Sequence, residues 1–251
     1  MAIDYYYDFK FGGKKLSDFN GVIVNDDGWT IKNGLSSEKI TEKLPRVHGE
    51  LFIDYSYNAR TIEVPIFIDG DIDMDEFYAW ILDGEQWLEF IGSNRKIKAI
   101  LDNQIEINSY FENNFKGITT LTFICYDPFY YDTNDTVYVI TKSGQTVKNK
   151  GNVTSYPFIE VVPSNSISQT IKFRVNNLLV ILKSVTKTLY IDCAIEEIYK
   201  IELGEKVNCF NQFTTNDYYD FVSLPPNKDV LIELIEGDVS SIKINPMSRY
   251  I

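Results

Sequence analysis

The sequence predicts a mainly β protein of two domains, with one α-helix among many short strands. Three observations carry this expectation. Hydrophobic residues make up 44% of the chain and aromatics 14%, including 17 Tyr and 16 Phe, the residue types that suit pleated, half-buried surfaces. Turn dipeptides recur at short intervals between apolar runs. Several segments alternate apolar and polar residues strictly, whereas a helical period rises in one place. At 251 residues the chain is long enough for two ordinary domains, each burying its own core.

The first third is hairpin territory, with Gly12-Gly13, Asn20-Gly21, Asp27-Gly28 and Asn33-Gly34 between runs such as Val22-Ile23-Val24. Tyr5, Tyr7, Phe9 and Phe11 fall on one side of a first strand, a pattern that a buried face or an exposed stacking surface would both use. From Arg60 to Ile68, Ile62, Val64, Ile66 and Ile68 share a face opposite Thr61, Glu63 and Phe67. Pro65 interrupts that run without an amide hydrogen, which favours an edge or a bulge. The helix follows: Asp73 can cap it, Asp75 and Glu76 suit its positive end, Met74, Phe77, Trp80 and Ile81 share a face, and Asp83-Gly84 stops it. Strands are expected at 87–91, 97–101, 104–108 and 119–126, the last with Leu121, Phe123 and Cys125 on one face. After Asp127-Pro128-Phe129-Tyr130-Tyr131, the polar residues 132–135 mark the boundary, giving domains 1–132 and 133–251. The second half reads as strands at 137–141, 158–162, 170–175, 178–182, 188–192, 230–235 and 241–245. Turn signals at Ser143-Gly144, Gly151-Asn152, Asn176-Asn177 and Glu236-Gly237-Asp238 separate them, as in an antiparallel sandwich.

Charge and cysteine usage narrow the function. Acidic residues outnumber basic ones 36 to 24, a net charge of −12, which repels nucleic acid and anionic membranes and argues against a phosphate-gripping groove. An acidic surface suits ordinary solubility, and equally a passage through which DNA slides without sticking. Cys125, Cys193 and Cys209 are odd in number and widely spaced, so they read as reduced thiols, two of them at strand positions. Met1 to Gly12 lacks the basic and then apolar pattern of a secretory signal. The longest aliphatic run, Leu178 to Leu182, is too short to span a bilayer, and synthesis in a cytoplasm is expected, leaving the Asn134 and Asn152 triplets little weight as glycosylation sites.

No catalytic, cofactor-binding or metal-ligating residue is expected. His48 is the single histidine and sits in a loop-like stretch without a nucleophile elbow. Phosphate-loop, dinucleotide and zinc-protease motifs are missing. Asp71, Asp73, Asp75, Glu196 and Glu197 read as solvated carboxylates, and the acidic run 69–76 fits helix capping better than a calcium loop. Tyr218-Tyr219-Asp220-Phe221 repeats the ambiguity of the N-terminal aromatics.

Several motifs, loose singly but ordered and spaced alike, carry a resemblance to a known family. They are Phe11-Gly12 with Asp18, Tyr57-x-x-Arg60-Thr61-Ile62, the helix, Asp127-Pro128, the segment Asn149-Lys150-Gly151-Asn152-Val153-Thr154-Ser155-Tyr156-Pro157-Phe158, and the closing run Phe221 to Asn227 with Ile242 to Ile251. From near residue 9 to residue 251 the chain resembles the distal tail (Dit) proteins of long-tailed siphophages. The resemblance implies an N-terminal β-barrel or sandwich-like domain with one α-helix and a long hairpin, followed by a C-terminal galectin-like β-sandwich. It further implies a structural virion protein, not an enzyme, located at the tail tip. Such a protein forms a homohexameric ring, or two stacked rings, joining the tail tube to the tail-associated lysin, fibre and receptor-binding baseplate proteins and leaving a channel for DNA. No cofactor, membrane insertion or sequence-specific nucleic-acid contact is implied. The stretch 30–57 is the expected reach to a neighbouring subunit. Two departures stand out: the second domain is short, and Pro225-Pro226-Asn227 replaces the more usual Pro-Gly-Asn. Alternative functions are a host-surface carbohydrate-binding module, against which residues 132–251 offer neither His nor Trp, and a cell-wall hydrolase.

Overall fold

The computed structural model describes residues 7–25, 28–32, 37–46, 48–102, 104–105, 109–111, 114–217 and 220–251. The chain divides into two compact units, residues 1–133 with 251, and residues 134–250. It is mainly β, as the sequence predicts.

In the first unit the strands are β1 (Phe9–Phe11), β2 (Lys14–Lys15), β3 (Val22–Val24), β4 (Thr30–Lys32), β5 (Ser37–Glu42), β6 (Leu51–Tyr57) and β7 (Arg60–Asp71). Helix α1 (Met74–Ile81) follows, then β8 (Gln86–Phe90), β9 (Arg95–Leu101), β10 (Ser109–Phe111), β11 (Asn114–Cys125) and β12 (Tyr130–Asp132). The sheet runs β2-β1-β8-β9-β11-β7-β3, with β4 beside β7, β10 on β11 and β12 on β9. Ile62, Val64, Ile66 and Ile68 of β7 are buried together with Leu121, Phe123 and Cys125 of β11, each aliphatic contributing about 1.5–3 kcal/mol. Asp73 caps α1 by accepting from Glu76 N at 3.0 Å. The helix lays Phe77, Trp80 and Ile81 onto Phe9, Phe11 and Phe19, and the Trp80 indole donates to Phe11 O at 2.7 Å. That bond removes the penalty of burying its N–H.

Three expectations for this unit need correction. Pro65 lies neither at an edge nor in a bulge: it sits inside β7, opposite Thr120. Its backbone oxygen accepts from Asn25 N at 2.8 Å, and within a strand the N and O of one residue point the same way. The missing amide hydrogen therefore faces the break where β3 ends and β4 has yet to begin, so no ladder bond is lost. Gln104 and Ile105, expected in a strand, lie outside any; the β9–β11 ladder closes where Asp102 N donates to Thr122 O, and Ile105 packs on the core from a loop. The remainder of that segment lies outside the described residues. Phe9 and Phe11 are fully buried, but Tyr7 is exposed ahead of β1, its ring edge-on to Trp29 with centroids 5.9 Å apart; Tyr5 and Tyr6 lie outside the described residues, as do Asn33 and Gly34.

The second unit comprises β13 (Tyr138–Ile140), β14 (Gln145–Lys148), β15 (Phe158–Pro163), β16 (Gln169–Val175), β17 (Leu178–Val185) and β18 (Leu189–Asp192). These are followed by β19 (Glu197–Glu202), β20 (Glu205–Asn208), β21 (Phe213–Thr215), β22 (Asp229–Glu236), β23 (Val239–Asn245) and β24 (Arg249–Tyr250). One sheet runs β13-β23-β15-β18-β19-β20 and the other β14-β22-β16-β17-β21. Ile159, Ile191 and Ile244 of the first enclose one core with Phe173, Val180 and Ile232 of the second, the inward half of each period-2 pattern. Strands β14, β19, β20, β21 and β24 go beyond the sequence reading; β20 and β21 hold few apolar residues and exist through their ladders to β19 and β17.

Candidate functional sites

Among the described residues, side chains with catalytic potential do not converge. His48 is exposed in a bend. Glu197 pairs with Lys206 at 3.3 Å, and Glu196 sits in a turn at φ 56. Among the described residues no group of three or more His, Cys, Asp or Glu could hold a metal ion. All three cysteines are buried and free. Burial pushes the Cys125 thiol up to about 12, with the Arg60 guanidinium drawing it partly back; burial also pushes Cys193 and Cys209 up. Thiols held protonated in this way are poor nucleophiles.

The motifs that carry the resemblance are instead brought together as structural clamps. At the end of the first unit, Tyr57 meets Phe129 at 5.2 Å between ring centroids, and the buried Arg60 guanidinium lies 4.9 Å over the Tyr130 ring. Among the described residues Arg60 Nε and Nη2 have no hydrogen-bond partner, and the ring face offsets part of the cost of burying the guanidinium. The Asp127 carboxylate accepts from Phe129 N and from the Tyr131 hydroxyl, which fixes the turn around Pro128.

In the second unit the segment from Asn149 and the closing run, about a hundred residues apart in sequence, form one buried polar network. Asn149 is fully buried. Its amide donates to Val153 O at 2.8 Å and Leu224 O at 3.0 Å, and its Oδ1 accepts from Gly151 N at 2.8 Å. Ser248 Oγ accepts from Lys150 N at 3.1 Å, and Ser248 donates to Asp135 through N at 2.7 Å and Oγ at 3.2 Å. Gly151 passes so near the closing strand that an added Cβ would lie 2.0 Å from Arg249 O. Asn227 settles the Pro-Pro-Asn turn: it takes the positive φ, +54, that Pro226 could not adopt, and donates to Asn149 O at 2.9 Å.

A different surface is offered by β5 and β6, which pair with each other as a two-stranded sheet of their own. Apolar side chains are exposed on both faces of this hairpin: Leu51 is 52%, Phe52 49% and Ile53 53% accessible. Two strands alone are marginal in water, and exposed aliphatics at this density mark a contact surface. Charge is also uneven. Residues 1–133 hold 23 acidic side chains against 12 basic ones, net −11, whereas residues 134–250 hold 13 against 12, net −1. From Thr61 to Asn94 there are nine carboxylates and no basic residue.

Fold and surfaces together define a two-unit, mainly β protein with an exposed apolar hairpin and buried clamps. No family profile and no curated protein matches the chain. Solved structures do: the Dit protein of phage SPP1, presented as a paradigm of the hub adsorption apparatus in phages infecting Gram-positive bacteria, shares the fold with a TM-score of 0.64 and 17% identity over 98% of this chain and 99% of that one. A chain of the phage P2 baseplate, in its activated conformation with Ca, matches with a TM-score of 0.59 and 13% identity, over 95% and 97%. The chain therefore has the fold of the Dit hub protein, as the sequence resemblance implied.

Proposed function

We propose that this chain is a distal tail protein of a long-tailed phage. Residues 1–132 form a homohexameric ring, single or stacked in pairs, and residues 133–251 append a galectin-like sandwich. The ring joins the tail tube to the lysin, fibre and receptor-binding proteins of the baseplate, at the tail tip of the virion, and leaves a channel for DNA. Its work is structural and needs no catalytic residue. The observation that carries the reading is the end-to-end correspondence with SPP1 Dit, in which both units occur in one chain of matching extent.

Two features of this chain support it. The β5–β6 hairpin exposes apolar side chains on both faces, suited to a neighbouring subunit in a closed ring, where repeated contacts reinforce one another. The negative charge concentrated in residues 1–133 suits a channel wall that repels phosphate. Light scattering on the purified 29.0 kDa chain, followed by negative-stain microscopy, tests the reading. A six-fold ring with a central hole is expected, and the double variant Phe52→Glu, Ile53→Lys should give folded monomers. A chain that stays monomeric even with its tail tube protein present would overturn the ring.

A further inference from the structure

The second unit holds a cavity of about 310 Å³ between the β16–β17 turn and the segment that follows β21. That volume is near the lower end for ligand sites, about 300–1,000 Å³. Its floor is apolar: Val175 and Val222 are buried, and Leu178 and Phe221 half-buried. The Phe221 ring stacks 4.9 Å from Phe213 at 25°, and Phe213 belongs to the core, so the floor is rigid.

The rim is polar and fixed by its backbone. Asn176 N donates to Leu231 O at 3.1 Å, Asn216 N to Leu179 O at 3.2 Å, and Asp220 N to Asp217 O at 3.1 Å. The Asn216 amide is spent inward, its Oδ1 accepting from Leu179 N at 2.7 Å. By contrast, the side chains of Asn176, Asn177, Asp217, Asp220 and Ser223 reach the cavity rim with no hydrogen bond or ion pair among the described residues. They come from two segments forty residues apart and offer a mixture of donors and acceptors around one apolar floor.

We infer that this cleft binds a saccharide unit, neutral or amine-bearing. A sugar ring presents hydroxyls that both donate and accept, matched by two amides, two carboxylates and a hydroxyl. It also presents a C–H face, which packs on an aromatic ring and an aliphatic side chain. Among the described residues no Lys, Arg or His lines the cavity, and its two carboxylates disfavour a phosphate or an acidic ligand. Residues 134–250 contain neither His nor Trp, so the recognition rests on the amides, carboxylates and hydroxyl of the rim and on the Phe221 ring. Its shallow, exposed rim limits a single sugar to about millimolar affinity; several copies side by side would bind a polymer far more tightly.

The test is saturation-transfer NMR on the full chain with glucose, galactose, rhamnose, N-acetylglucosamine and glucosamine, and ³¹P line broadening with inorganic phosphate. Saturation transfer to at least one sugar and no phosphate broadening are expected. The Asp217→Ala, Asp220→Ala double variant should lower apparent affinity about tenfold or more, and Asn177→Ala about threefold, from the lost hydrogen bonds. Because these side chains are exposed, the thermal midpoint and the oligomeric state stay at wild-type values, so failure here is separable from failure of the ring reading. No transfer to any sugar, transfer that survives the double variant, or phosphate broadening would each overturn the assignment.

Discussion

Replacing Gly151 by alanine is the sharpest single test of the buried network. The added Cβ would stand 2.0 Å from Arg249 O, 2.6 Å from Arg249 N and 2.8 Å from Arg249 C, where ordinary contact begins at 3.4 Å. All three atoms are backbone, so no side-chain rotation relieves the overlap, and one segment must retreat by roughly 1.4 Å. Such a shift breaks Asn152 N to Arg249 O at 3.0 Å and strains Gly151 N to Asn149 Oδ1 at 2.8 Å. Two bonds at about 1 kcal/mol each and overpacking of about 1–3 kcal/mol give a loss of about 3–5 kcal/mol. For a unit of this size that corresponds to a fall in Tm of about 10–20 °C. Gly144→Ala is the control: nothing lies within 4 Å of its Cβ but its φ is +88, which costs about 1 kcal/mol. Far-UV circular dichroism reads both units, whereas tryptophan emission reads residues 1–133 alone, because Trp29, Trp80 and Trp87 all lie there. The Gly151→Ala chain should show an early transition by dichroism. A melt within about 2 °C of wild type, or a larger loss from Gly144→Ala, would refute the steric argument.

The remaining predictions concern the rest of the two cores. Asn149→Ala leaves Val153 O, Leu224 O and Gly151 N without their partner and should cost about 3 kcal/mol in urea unfolding. Trp80→Phe removes the indole bond to Phe11 O and should lower stability by about 1–3 kcal/mol, with the near-UV dichroism of the first unit altered. The thiols should resist labelling by a maleimide at pH 8 and react fully in urea. An ordinary thiol ionises near 9.0, whereas folded Cys125 holds its proton up to about 12. The folded state thus binds that proton more strongly, a contribution complete below pH 9 and lost as pH rises towards 12. Unfolding midpoints measured from pH 8 to pH 11 should fall less steeply in Cys125→Ala than in wild type.

Much of the architecture was legible because its signals are local. Asp73, with Phe77, Trp80 and Ile81 behind it, specifies a helix through spacing alone. The run Ile62, Val64, Ile66, Ile68 specifies a half-buried strand in the same way. The misses share one cause: they depend on what another segment does. Pro65 reads as an edge residue until β3 is seen to end beside it. Strands β20 and β21 carry almost no period of their own and are made by their neighbours. The cleft at Asn176 and Asn177 needs Asp217 and Asp220, which the β17–β21 register alone delivers.

The hairpin carries the same reasoning one level further. A bulge at Ile53 breaks the alternation of β6, since Thr41 pairs with Phe52 and Ile40 with Asp54; Phe52 and Tyr55 therefore share a face, their ring centroids 4.9 Å apart, with Leu51 on the other, and all three are exposed. A cluster of exposed apolar side chains records what is hidden in the state on which selection acts, and that state need not be one chain. Under the ring reading the pattern belongs to the assembly: one face of the hairpin packs on the neighbouring subunit, and the isolated chain shows a face prepared for a contact not yet made. The double change at Phe52 and Ile53 separates the two possibilities. If it abolishes the ring and leaves the melting of the monomer unchanged, the apolar surface is an intermolecular one; if it destabilises the monomer, the hairpin folds back on its own chain and the arm has no part in assembly.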